Sequence, residues 1–222
     1  RSCDGANNTA GWSSSISTTM DASAPPVPSI NPESQFSRGT NNNVSWSAVT
    51  DAGVGGVQYL AQYSADMGFL SPTASGWLVQ TQYNFSSLSD GNTYYYRVKS
   101  RDSFGWESAW SPIVSSIQDA SAPTVPVMNP EPAFTTGLEN ALYWDPSVDR
   151  GIGGVQYDAQ ASENPTFSSI KADSGWLNAT HTTFPGLADG VKYYYRVCSR
   201  DSFLQVGSWS TIVSSTQDDS AP

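Results

Sequence analysis

The chain has 222 residues, of which 20 are acidic and 10 are basic, so its formal net charge is −10 at pH 7. This balance excludes nucleic acid as a partner, because binding to phosphates needs clustered Lys and Arg side chains that displace counterions. No apolar run approaches the ~18 residues of a membrane-spanning helix, so the sequence predicts no membrane span.

Residues 1–20 are the first predicted element, and a repeated pattern identifies them. Trp12-Ser13 stands where Trp110-Ser111 and Trp209-Ser210 stand in two later copies. The marker Asp21-Ala-Ser-Ala-Pro25 recurs at 119–123 and, with one change, at 218–222, which gives a period of 98 or 99 residues. We predict a C-terminal strand remnant of a preceding repeat over 1–20, complete repeats over 21–118 and 119–217, and a linker to a following repeat over 218–222. The sequence is then expected to be a window in a longer array.

Each complete repeat is predicted to hold seven short β-strands, because apolar residues alternate with a period of two between turns rich in Gly, Pro, Asn and Asp. In the first repeat we place them at 27–31, 43–48, 57–64, 76–79, 82–88, 93–102 and 110–117. Seven strands in about 100 residues predict an all-β fold, with tandem seven-stranded antiparallel β-sandwiches. Trp46 and Trp144 should point into the two cores.

Three residues in each repeat carry a family resemblance. Leu88, Tyr94 and Val98 recur in the second repeat as Leu187, Tyr193 and Val197. Their spacing resembles the tyrosine corner of fibronectin type III domains. The resemblance implies that the tyrosine hydroxyl bonds the backbone at the corner, and the usual proline after the leucine is replaced by turn residues such as Asp90-Gly91. It covers nearly all of 21–217 and implies the fold, whereas this sandwich serves many functions.

The outer face of the predicted strand 93–102 carries a row of cations beside a tryptophan of the next strand. Stacking of a cation on an exposed aromatic ring stabilises by about 0.5 to 1 kcal/mol, so we predict a structural cation–π ladder. A receptor role is the alternative, from similarity to the Trp-Ser ladder of class I cytokine receptors, although the full motif is missing here. The predicted ladder residues are Arg97, Lys99, Arg101, Trp110, Arg196, Arg200 and Trp209.

The two cysteines take positions that hold cations elsewhere in the repeats. Cys3 matches Arg101, and Cys198 matches Lys99. Both are therefore expected to face outward, and they lie too far apart in an extended array for the Cα separation of about 5.5 Å in a disulfide. An intermolecular disulfide is one interpretation; a bond to another part of the protein and an inert thiol are the others.

Surface residues suggest contacts with sugars in two ways. Trp77 and Trp176 each follow a Ser-Gly turn, and either form a glycan platform or pack across a sandwich edge. Four Asn-x-Ser/Thr sequons predict glycosylation at an extracellular surface, although they also arise by chance in a chain of this composition. The sequons begin at Asn7, Asn43, Asn84 and Asn178.

The Gly-rich loops 51–56 and 149–154 lack the Lys-Ser/Thr ending and the helix of a phosphate-binding loop. Their Asp side chains and carbonyls offer oxygen ligands to calcium, as do the acidic linkers, but no Asp-x-Asp-x-Asp array is present. We therefore predict no cofactor and keep calcium as an open alternative. His181 is the single histidine, and neither cysteine shares a recognisable base with it, so we predict that the chain is not an enzyme.

These features favour a non-enzymatic extracellular or cell-surface array of structural or adhesive repeats. Short Pro-containing linkers such as 118–123 should stack the sandwiches into a stiff rod, and a filament or sheath subunit is the sharper form of this hypothesis. Its partners would be neighbouring repeats and further copies of itself. The alternative is a module that binds a glycan or cell-surface protein, in a secreted enzyme or a receptor ectodomain.

Overall fold

The computed structural model describes residues 1–53, 55–151 and 154–219. Val54, Ile152 and Gly153 of the two Gly-rich loops, and residues 220–222 of the predicted final linker, lie outside the described residues. Within the described ranges the secondary structure consists of β-strands, and no helix is long and apolar enough to cross a membrane. The all-β prediction is confirmed.

The first unit contains seven strands in two sheets. Their bounds are β1 (Phe36–Arg38), β2 (Asn42–Ser45), β3 (Gln58–Ser64), β4 (Thr73–Leu78), β5 (Gln82–Phe85), β6 (Thr93–Arg101) and β7 (Val114–Asp119). One sheet has the order β1-β7-β6-β3-β4, and the other pairs β2 with β5. An isolated bridge from Ile30 to Trp46 adds the preceding segment to the smaller sheet.

The second unit repeats this arrangement with eight strands. They are β8 (Val127–Met128), β9 (Phe134–Thr136), β10 (Glu139–Asp145), β11 (Gln156–Ser162), β12 (Ala172–Asp173), β13 (His181–Pro185), β14 (Lys192–Arg200) and β15 (Val213–Asp218). The larger sheet has the order β12-β11-β14-β15-β9, and the smaller one has the order β13-β10-β8. Two facing sheets in each unit confirm the predicted sandwiches.

Three details of the predicted strands are wrong. The sheets are not purely antiparallel, because β1 runs parallel to β7 and β9 runs parallel to β15. The three residues of β1 were not predicted as a strand, since so short a segment shows no alternation. Conversely, the predicted strand 27–31 forms only the single bridge at Ile30.

Alternation along the longest strands builds both cores. In β6 every second residue from Tyr94 to Ser100 is buried, as an extended backbone dictates. Trp46 and Trp144 are each 3% exposed, so both point inward as expected. The Tyr94 hydroxyl accepts a hydrogen bond from the Ser89 amide at 2.9 Å, and the Tyr193 hydroxyl does so from Ala188 at 3.1 Å.

Residues 1–20 form no extended strand. The expected strand remnant is reduced to one bridge between Cys3 and Thr9 around an Asp4 turn, and Trp12 is 80% exposed. The same bridge closes the turns after β6 and β14. The backbone of this turn is therefore common to all three copies, because an aspartate bonds the amides that follow it in each.

Candidate functional site

Alternating aromatic and cationic side chains cover the outer face of β6. The Arg97 guanidinium carbon lies 3.9 Å from the Phe69 ring centroid and 4.1 Å from that of Trp110. The Lys99 ammonium lies 4.8 Å from Trp110 and 5.6 Å from Trp77. Arg101 ends the series at 4.2 Å from Trp77. We call these six residues the first stack.

Glutamines of the neighbouring strand orient both arginines of the first stack. Nε and Nη2 of Arg97 donate to Oε1 of Gln62 at 3.1 and 2.9 Å, and Arg101 makes the same pair of bonds to Gln58. β3 pairs with β6 in a register that places Gln62 opposite Arg97. The glutamines therefore set the orientation of each guanidinium plane relative to the aromatic rings that it contacts.

The second unit has a stack of the same kind with its central cation missing. Arg196 lies 4.1 Å from the Phe167 ring and 4.0 Å from Trp209, and Arg200 lies 4.2 Å from Trp176. Cys198 replaces the lysine. In the first unit that lysine forms an ion pair with Glu107, whereas the corresponding position in the second unit is Val206. Both residues of the ion pair are therefore replaced by uncharged residues in the second unit.

The predicted outward exposure of Cys198 is wrong. Its side chain is buried, with 1% exposure, while Cys3 is exposed, and both cysteines are free. A thiol ends close to the strand, so it cannot reach past the longer side chains on either side as lysine does. Burial and, to a smaller degree, the charge of Asp158 raise the pKa of the Cys198 thiol to about 12. Cys198 is therefore not placed to form an intermolecular disulfide.

Asp158 lies opposite Cys198 in the register of β11 and β14. Burial, then the hydrogen bond and charge of Asp173, raise its pKa to about 7, although Arg196 and Arg200 act in the opposite direction. Its Oδ1 is shielded from solvent and has no hydrogen-bond partner among the described residues.

The tryptophans considered as a glycan platform are members of the stacks. Trp77 and Trp176 are half-buried, and each carries an arginine at 4.2 Å from its ring centroid. The ring surface that meets a guanidinium is not available to a sugar. The four sequon asparagines are all exposed, and Asn43 and Asn84 are direct cross-strand neighbours on β2 and β5.

Sequence reasoning missed the first aromatic member of each stack. Phe69 and Phe167 are buried in turns, and both have a φ of 54°, in the left-handed region that phenylalanine seldom adopts. Neither lies on a strand, so alternation could not reveal them. The available signal was the recurrence of a phenylalanine at the same place in both repeats.

The two units meet at a hydrogen-bonded joint. The Asp90 carboxylate accepts a hydrogen bond from the Ala120 amide at 2.7 Å and another from the Ser121 hydroxyl. The Gly91 amide donates to the Gln118 carbonyl at 2.8 Å. Gly91 also lies against Arg150 of the second unit. Burial opposes ionisation of Asp90, but the hydrogen bonds from Ala120 and Ser121 and, to a smaller degree, the charge of Arg150 lower its pKa.

The strand that ends the first unit continues directly into the second. Asp119, the last residue of β7, is fully buried, and its carboxylate accepts a hydrogen bond from the Gln205 side chain at 3.1 Å. Thr124 and Val148 then bond each other twice, through backbone and side chain. The connection between the units is therefore hydrogen-bonded to residues on both sides.

Comparison with known proteins adds one sequence relative and one structure. No family model matches the chain. It is 29% identical over 201 residues to chitinase A1 of Niallia circulans, which covers 88% of this chain and 26% of that protein, so the chain spans about a quarter of the relative's length. It is also similar to the crystal structure of the FN1-FN3 domains of chicken CNTN1, with 16% identity, a TM-score of 0.41, and coverage of 90% of this chain and 68% of that one.

The architecture of the chain itself decides the fold assignment. Each unit has a smaller sheet facing a larger one, a buried tryptophan on the smaller sheet, and a tyrosine whose hydroxyl bonds the backbone at the corner before the longest strand. These features agree with the resemblance noted in the sequence. The two units are tandem β-sandwiches of the fibronectin type III-like fold.

Proposed function

We propose that this chain is a non-catalytic spacer segment of an extracellular protein, in which consecutive sandwiches are held at a fixed angle. The observation that carries the proposal is the joint, where the Asp90 carboxylate holds the linker and Asp119 is buried against the second unit. A freely jointed pair of domains would leave these groups in water. A spacer needs such a joint, because it keeps its two ends at a constant separation only if the connections between its domains do not bend.

The same contacts recur at the far end of the second unit, which supports a continuing array. Asp189 accepts a hydrogen bond from the Asp219 amide at 2.8 Å, as Asp90 does from Ala120. The Gly190 amide donates to the Gln217 carbonyl at 2.9 Å. The joint is thus a property of the repeat and would be formed again with a following unit.

A non-catalytic role and an extracellular location are supported indirectly. His181 is exposed, and its ring lies 5.8 Å from that of Tyr143 in a stacked geometry. The exposed sequons suit a secreted protein. A chitinase as sequence relative also suits a segment of a secreted protein, although the chain spans only a quarter of it.

The alternative function is a glycan-binding accessory region, and the likeness to chitinase A1 favours chitin as the first ligand to test. Binding through Trp77 or Trp176 would require a ring face that is released from its arginine. An adhesive filament is the sharper form of the spacer hypothesis, and exposed Cys3 is the residue that could join copies covalently.

Binding to insoluble chitin and to a glycan array separates the two functions. The spacer proposal expects no retention beyond that of an unrelated acidic protein. Saturable binding that disappears in both Trp77→Ala and Trp176→Ala, while Trp106→Ala retains it, would overturn the spacer proposal. Trp106 is a suitable control because it is half exposed and lies outside the stacks.

A further inference from the structure

Three aspartates that are distant in sequence converge at the start of the first unit. Asp21 opens the repeat ahead of β1, Asp51 lies in the loop after β2, and Asp102 follows β6. One carboxylate oxygen of each lies within 4.8 Å of the other two. The second unit has the same group at the matching positions, formed by Asp119, Asp149 and Asp201.

Two aspartates of the first group, Asp51 and Asp102, hold carboxylate oxygens that are shielded from solvent and have no hydrogen-bond partner among the described residues. Asp102 is 2% exposed; its Oδ1 accepts hydrogen bonds from the Phe104 and Trp106 amides, and its Oδ2 has no partner among the described residues. Both carboxylate oxygens of Asp51 are also shielded from solvent, and neither has a hydrogen-bond partner among the residues that the structure describes. Neither residue forms an ion pair with any described Lys or Arg. Buried charges of one sign need a proton or a cation to balance them.

Glycine makes room for this convergence in both units. The Asp21 carboxylate occupies the space that a Cβ at Gly53 would take, and Asp119 occupies the same space beside Gly151. A larger residue would push the linker carboxylate away from the other two. Both units therefore have a glycine at the point where the carboxylate of Asp21 or Asp119 approaches the loop backbone.

We propose that each group binds one calcium ion, with the three aspartates as its anionic ligands and with backbone carbonyls and water completing the shell. Calcium takes oxygen ligands at about 2.3 to 2.6 Å, so ligands on opposite sides of one ion lie about 5 Å apart, which accommodates the observed spacing. Magnesium would require a tighter, octahedral set at about 2.1 Å. The site does not depend on the spacer role.

The two groups differ at one position, which gives an internal comparison. In the second unit Nε2 of Gln205 donates to Asp119 at 3.1 Å and to Asp201 at 3.0 Å, whereas the matching residue of the first unit is Trp106. A cation in the second group must first displace the amide donor, so the first group binds more tightly.

Isothermal titration with CaCl₂ after removal of divalent ions tests the proposal on the whole chain. We expect two sites, with the tighter dissociation constant at or below about 1 mM, the weak end for extracellular calcium modules. Asp51→Asn should leave one site, and the pair Asp51→Asn with Asp149→Asn should leave none. Asp145→Asn is the matched control, because Asp145 is exposed and lies outside both groups.

Thermal unfolding provides a second readout that a misfolded variant cannot imitate. Calcium should raise the Tm of the wild type and of Asp145→Asn by several degrees above an NaCl control of equal ionic strength, since a ligand of the folded state stabilises it. The proposal is overturned if calcium gives no heat and no Tm shift, if magnesium at the same concentration matches it, or if Asp145→Asn loses binding as Asp51→Asn does.

Discussion

At the scale of single residues, position 198 shows how the same place in a repeat can carry different chemistry. Lys99 in the first unit reaches over Trp110 and pairs with Glu107. Cys198 lies at the matching place and is buried. The sequence predicted which face of the strand holds this residue, but exposure also depends on how far the neighbouring side chains extend.

Alkylation should distinguish the two cysteines. At about pH 7.5 iodoacetamide should modify Cys3 in the folded protein and leave Cys198 unmodified, because the thiolate is the reactive species and burial holds the pKa of Cys198 at about 12. Peptide mass analysis before and after denaturation in urea measures both sites. Equal labelling of the two residues in native buffer would contradict the buried position of Cys198.

The Asp158 carboxyl should make the stability of the second unit depend on pH. Its pKa is about 7 in the folded protein and near 3.8 when unfolded, so the folded state holds the proton more tightly. Its contribution is therefore fully present below about pH 4, is lost as the pH rises to about 7, and stays constant above that.

Asp158→Asn should accordingly stabilise the protein at about pH 8 by roughly 1 kcal/mol, because it removes a buried charge with an unsatisfied oxygen. The gain should shrink towards pH 4, where Asp158 is protonated. Urea unfolding at the two pH values measures it, with Asp145→Asn as an exposed control. A variant that is less stable at pH 8, or a gain that is independent of pH, would refute this account.

At the scale of elements, alternation predicted the long strands and failed where a segment was short. β6 was located within a residue of its observed ends, because nine residues of regular alternation leave little ambiguity. β1 has three residues and pairs in parallel with β7. Its pairing is set by contacts distant in sequence, which no local pattern reports.

The stack on β6 should contribute measurable stability to the first unit. Arg97→Ala removes two ring contacts, each worth about 0.5 to 1 kcal/mol, together with the hydrogen bonds to Gln62. We expect a loss of about 2 kcal/mol in the free energy of unfolding of that unit. Urea titration followed through resolved NMR signals measures the two units separately.

Two variants serve as comparisons for this loss. Arg196→Ala should produce a similar decrease confined to the second unit, since its two ring contacts are equally close. Arg38→Ala removes an exposed arginine at the end of β1, outside the stack, and should change stability by less than about 0.5 kcal/mol. A loss for Arg38→Ala as large as that for Arg97→Ala would show that the stack adds nothing.

At the scale of the whole molecule, the repeat was visible in the sequence and the joint was not. The marker at 21 and 119 set the period, and both sandwiches were predicted from it. The convergence of Asp119 with Asp149 and Asp201 could not be predicted, because the three come from a strand end and two separate loops. Only the folded arrangement of β7, β10 and β14 brings them together.

The most direct test of the proposed spacer is whether the two sandwiches keep one relative orientation in solution. Residual dipolar couplings measured for backbone amides in a weakly aligning medium give an alignment tensor for each unit. A fixed joint predicts one common tensor for both units, and a divergence of the two tensors in Asp90→Ala, which removes the contacts to Ala120 and Ser121. Two tensors of clearly different magnitude in the wild type would show independent motion and contradict the fixed joint.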